Sequence, residues 1–118
     1  MANRSILKFP DLRLKAKSQL VARFDEELQD LVADMADTLE VHMGVGLAAP
    51  QIGEAVRVVI VRCSSFGYEH SNKDELHGDV LVLVNPELEL SGKNVAWKES
   101  CLSVPGYSGN VKRQTKAF

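Results

Sequence analysis

The chain is poor in cysteine, in proline and in long apolar runs. Two cysteines are too few for a disulfide scaffold, so a reducing setting is expected, with each thiol either buried or chemically employed. Eight glycines and four prolines exclude a collagen-like or linker-like composition. No apolar stretch approaches the roughly 20 residues that cross a bilayer, which argues against a membrane partner. Met1 to Lys8 holds no long apolar core and no small-residue cleavage site, so no export signal is read there. A cytoplasmic setting is the expectation. Hydrophobic residues at 45% and charged residues at 25% exclude a disordered chain, and 118 residues make one domain.

A net charge of -2 gives no case for direct nucleic-acid reading. The charge is unevenly spread. Residues 1–23 hold six Lys/Arg against one Asp, residues 25–40 hold seven Asp/Glu and no base, and the last seven residues hold three Lys/Arg. Solvated faces account for this pattern; so does a docking surface for a charged assembly.

Residues 1–22 read as an extended arm around the turn Phe9-Pro10-Asp11. A helix is expected from about Asp25 to Met43. Phe24, Leu28, Leu31, Val32, Met35 and Leu39 recur at spacings of three and four and so share one face. Asp25 can cap it, Glu26 and Glu27 suit the positive end of its dipole, and Gly44 ends it. The period then changes. Arg57–Arg62 and Val80–Val84 read as buried strands, separated by a polar loop that carries His70 and His77. Glu87–Leu90 alternates like a strand, Ser91–Asn94 reads as a turn, and Val95–Lys98 begins another strand. Pro105-Gly106 and Ser108–Asn110 read as turns before a last strand from Val111 to Phe118. One helix followed by several strands gives an α+β class with a mainly antiparallel sheet.

Two segments can carry chemistry. In Gly44-Val45-Gly46-Leu47-Ala48-Ala49-Pro50-Gln51, two glycines allow close backbone approach to a ligand, and Gln51 can offer an amide N–H to an oxyanion. The same residues also read as a helix stop and a tight turn. A phosphate-cradling loop is a poor fit, because the glycines follow a helix and the lysine is missing. In Glu99-Ser100-Cys101-Leu102-Ser103, the thiol suits a nucleophile, a metal ligand or a packed side chain. Cys63, after an apolar run, suits packing. His42 sits where an imidazole favours the negative end of a helix. His70 and His77 lack the spacing that puts two imidazoles on one helix face, although a Cys101/His70/His77 metal site stays open.

Those two segments, in this order, resemble the peptide deformylase family. The first resembles its motif G-x-G-L-A-A-x-Q, and the second its motif E-G-C-L-S, with Ser100 in place of the glycine. Similarity extends to Ile6–Leu14, the acidic helix and Leu83–Glu87. The resemblance implies mainly antiparallel sheets around a central helix, and a metal-dependent hydrolase that removes the N-formyl group from the initiator methionine of new polypeptides. It implies a divalent metal, Fe(II) first, with Ni, Co or Zn as alternatives. Cys101 would be one ligand, and Gln51 and the Leu102 backbone N–H would be the oxyanion donors. Val45, Gly46 and Ser100 would hold the substrate backbone. The partners implied are formyl-Met nascent chains and, through them, the ribosome. Met43 and Ser108 are uncharged where relatives often carry charge at the groove rim. The family's third motif, H-E-x-x-H, supplies two further ligands and the general acid/base. It does not occur in these 118 residues, so residues 1–118 are expected to be a single, C-terminally incomplete domain lacking the C-terminal helix. The alternative is a non-catalytic peptide-binding module of the same fold.

Overall fold

The computed structural model describes residues 2–66, 76–77 and 79–117. Its one α-helix among them, α1, spans Glu26–Val41. The Asp25 side chain accepts the Leu28 N–H at its start, and Glu26 and Glu27 occupy the first turn, as the sequence predicts. Met35 and Leu39 are wholly buried, and Leu28, Leu31 and Val32 pack against the same core. Phe24 does not join them. It precedes the extended cap residue, off the helical face, and is 70% exposed.

The helix end also differs from expectation. The left-handed residue is Met43, with φ 50°, not Gly44. The Met43 N–H donates to the Glu40 carbonyl and the Gly44 N–H to the Leu39 carbonyl, which satisfies the last carbonyls of the helix. Gly44 serves packing instead: a Cβ there would stand 2.6 Å from Leu39 Cδ1 and 2.8 Å from Leu102 Cδ1.

Beyond the helix the chain enters a four-stranded antiparallel sheet with spatial order β1-β2-β4-β3. Its strands are β1 (Gly46–Ala48), β2 (Val58–Arg62), β3 (Leu76–His77) and β4 (Val80–Val84). Strand alternation aims Val58 and Ile60 inward, where they close the core with Leu47, Ala49, Met35 and Leu39. A 3-10 turn, Ala49–Ile52, follows β1 and delivers Gln51.

A separate two-stranded sheet holds β5 (Leu90–Cys101) and β6 (Val104–Ala117). Three expectations fail here. Glu87–Glu89 lies outside any strand. Ser91–Asn94 is a bulge inside β5 rather than a turn, and Gly92, at φ 87°, permits it. Pro105-Gly106 and Ser108–Asn110 lie within β6, and the hairpin turns at Leu102-Ser103 instead. Glycine and proline mark turns only statistically; on a long, exposed ribbon they are tolerated inside the strand.

The arm is not free. It includes a 3-10 turn, Leu12–Lys15, that its sequence did not announce. Ile6 is buried. The Ala2 N–H donates to Asp34 at 2.6 Å, Arg4 Nε to Asp34 at 2.8 Å, and the Arg4 N–H to Thr38 Oγ1 at 2.8 Å. Farther on, the Asn85 side chain accepts from the Val21 N–H at 2.8 Å and donates to the Val21 carbonyl at 3.0 Å. The arm is thereby fastened to α1 at one end and to the sheet at the other. No described helix is long and apolar enough to cross a membrane.

Candidate active site

The 3-10 turn and the hairpin turn meet along one groove of about 890 Å³, which Val45, Gly46, Gln51, Ser100, Cys101 and Leu102 all line. All six candidates from the sequence are therefore brought together. Met43, Trp97 and Tyr107, each more than half exposed, form its apolar walls.

Gln51 is the hub. Its Oε1 accepts the Ala48 N–H at 3.0 Å, its Nε2 donates to Ser103 Oγ at 3.1 Å, and the same Nε2 lies 3.6 Å from Cys101 Sγ. Two residues fifty apart in sequence thus face each other. Cys101 is exposed in the groove while Cys63 is buried, in keeping with the packed reading of Cys63. A second register irregularity in the hairpin falls at Ser100/Cys101, the kind of local kink that re-aims a side chain.

The strand end that carries Cys101 is braced from the side. Arg113 Nε and Nη2 grip the two Glu99 oxygens at 2.8 and 2.7 Å. The guanidinium holds the Glu99 carboxyl below its ordinary range.

β1 is an edge strand. The Val45 carbonyl accepts the Arg62 N–H at 2.7 Å, so 45 and 62 form a hydrogen-bonded pair. By the alternation of an antiparallel ladder, Gly46 opposite Val61 turns its N–H and C=O away from β2, toward the open edge. Val45 instead offers the groove its side chain, 45% exposed.

Cys101 suits a metal as one soft donor. Among the described residues no three His, Cys, Asp or Glu side chains converge on one point, so they do not complete a metal site. His70 and the His77 side chain lie outside what is described, and the Cys101/His70/His77 alternative lies there with them. His42 sits at the helix end with Nδ1 2.8 Å from the Thr38 carbonyl. Sequence reasoning missed Ser103, although it stands in the second motif itself, and missed the Ala48 N–H, which no side-chain pattern announces.

A sequence model of the family described as polypeptide deformylase matches residues 3–117. The chain belongs to that family. A peptide deformylase of Helicobacter hepaticus is 37% identical over 116 residues, which is 98% of this chain and 62% of that relative. The crystal structure of a Legionella pneumophila peptide deformylase superposes with a TM-score of 0.82 at 40% identity, over 98% of this chain and 63% of that one. A peptide deformylase of Ehrlichia chaffeensis in complex with actinonin gives a TM-score of 0.84 at 34% identity, over 99% of this chain and 66% of that one. The chain spans under two thirds of the length of each of these three deformylases.

Proposed function

We propose that this protein takes part in removing the N-formyl group from the initiator methionine of newly made polypeptides, as a metal-dependent hydrolase. The observation that carries the reading is the meeting of both family motifs in one groove, with Gln51 Nε2 3.6 Å from Cys101 Sγ. Family membership supports it.

The chemistry asks three things of the chain's own residues. The substrate backbone must be held: the open edge of β1 at Gly46 accepts it as an added strand, Ser100 lines the facing wall, and Val45 contributes apolar contact. The formyl oxygen gains negative charge as the carbonyl becomes tetrahedral: the Gln51 amide donates to it, with the Leu102 backbone N–H as the second donor. Cys101 supplies one thiolate ligand. A divalent metal, Fe(II) by the resemblance, would be held in part by that thiolate and would supply Lewis-acid activation of a water. The described residues provide only that one ligand and no general acid for the leaving amine. By the resemblance these belong to the H-E-x-x-H motif. Nascent chains as substrates make the cytoplasm the place of action and the ribosome a partner.

The test is formate release from a formyl-Met peptide by the full, anaerobically prepared product of the gene, with metal content measured alongside. Formate release with about one metal per chain is expected. Peptide binding without formate would support the non-catalytic module and reject hydrolysis.

A further inference from the structure

Ser103 has no part in the chemistry proposed above, yet its place is closely fixed. It is 4% exposed, at the hairpin turn. Its carbonyl accepts the Phe9 N–H at 2.8 Å, and two residues earlier the Leu7 N–H donates to the Gln51 carbonyl at 2.7 Å. One short stretch of the arm therefore ties both motifs together.

The Gln51 carboxamide has two flips. A backbone N–H can only donate, so the Ala48 N–H at 3.0 Å demands the amide oxygen on its side. That puts Nε2 beside Ser103 Oγ, which takes one of its two hydrogens at 3.1 Å. The other is left on the Cys101 side, where the contact to Sγ is 3.6 Å. An amide contact to sulfur at 3.6 Å is long and can be exchanged for a shorter bond to an oxygen that carries developing charge.

We propose that Ser103 is a positioning residue: by holding one Nε2 hydrogen of Gln51 it aims the second into the groove, at the oxygen of the scissile carbonyl. This rests on Gln51 acting as an oxyanion donor. Ser103 does not touch substrate; it acts through Gln51.

Amide NMR tests the geometry without any turnover. The Gln51 side-chain NH2 pair, assigned by its disappearance in Gln51→Ala, should be shifted from the pairs of Gln19, Gln29 and Gln114. In Ser103→Ala it should move toward them and become mobile, and in Ser103→Thr it should stay. If Ser103→Ala does not fold, Ser103→Cys keeps the volume with a poorer acceptor and should give the same collapse. In the active protein, Ser103→Ala should lower kcat about tenfold with KM unchanged, less than the hundredfold or more typical of losing a whole oxyanion donor. Ser103→Thr should restore most of it, and Ser103→Ala should cost nothing further in a Gln51→Ala background. A Gln51 NH2 pair unmoved by Ser103→Ala, or losses that add in the double variant, overturns the proposal. Absence of deformylation with the NMR result as expected overturns the enzyme reading and leaves the positioning of Gln51 standing.

Discussion

Replacing Asp34 by Asn removes the charge that fastens the arm to α1. Asp34 Oδ1 accepts the Ala2 N–H at 2.6 Å, and Oδ2 accepts Arg4 Nε at 2.8 Å and Nη2 at 2.7 Å. The Arg4 guanidinium, aided by the Ala2 N–H, overrides the cost of burial and holds the carboxyl down to about 2, against an ordinary 3.8. Its side chain is 11% exposed, so solvent screens the carboxylate little, whereas Arg4 at 34% is screened more. A carboxylate depressed by that amount contributes up to about 2 kcal/mol at neutral pH. The folded value is the lower one, so the contribution is complete above the unfolded pKa and disappears as pH falls through the folded one. About half remains near pH 3 and only a few tenths of a kcal/mol near pH 2. Urea unfolding of both proteins from pH 7 to pH 2 measures this. The wild type should exceed Asp34→Asn by about 2 kcal/mol at pH 7, and the gap should close between about pH 5 and pH 2. Other carboxylates titrate in both proteins and drop out of the difference. A gap that is absent at pH 7, or that stays constant down to pH 2, would refute the depressed Asp34 carboxyl as its source.

Further outcomes follow from the same geometry. Gly44→Ala should cost about 1–3 kcal/mol by overpacking Leu39 and Leu102, read by chemical denaturation. A cost under a few tenths would mean that the two leucines yield freely. Asn85→Ala removes both bonds to Val21 and should cost about 1–3 kcal/mol, with faster proteolysis near residue 21 as the second readout. Gln51→Ala should lower formate release about a hundredfold or more; full activity would remove Gln51 from the chemistry. Cys101→Ala should abolish metal uptake by the complete protein, measured by elemental analysis after anaerobic purification, and unchanged metal content would reject Cys101 as a ligand.

What could be read in advance was local or repetitive. The α1 face declared itself through the spacing from Leu28 to Leu39, and β2 and β4 through dense aliphatic runs. The two motifs held every candidate that the groove later gathered. What escaped notice depends on the partner strand or on distance. Gly92 in a bulge and Gly92 in a turn look identical until the facing strand is known. The hairpin turned at Leu102-Ser103, where a lone serine is the only turn signal, because pairing on both sides fixed the reversal. Met43 took the left-handed position because Gly44 was needed where a Cβ would strike Leu39. Ser103 was legible as part of a motif but not as a partner for Gln51, since nothing in the spacing of residues 51 and 103 says that they touch.

The arm bonds at Leu7 and Phe9 bear on how this groove comes into being. During synthesis the first ten residues leave the ribosome early and wait, without their partners, until residue 103 has followed. A nascent chain cut short before that point has Gln51 but lacks the clasp across it. The groove thus cannot be completed before residue 103 has been made, and removing the stretch that holds Leu7 and Phe9 should loosen it as surely as a change within it.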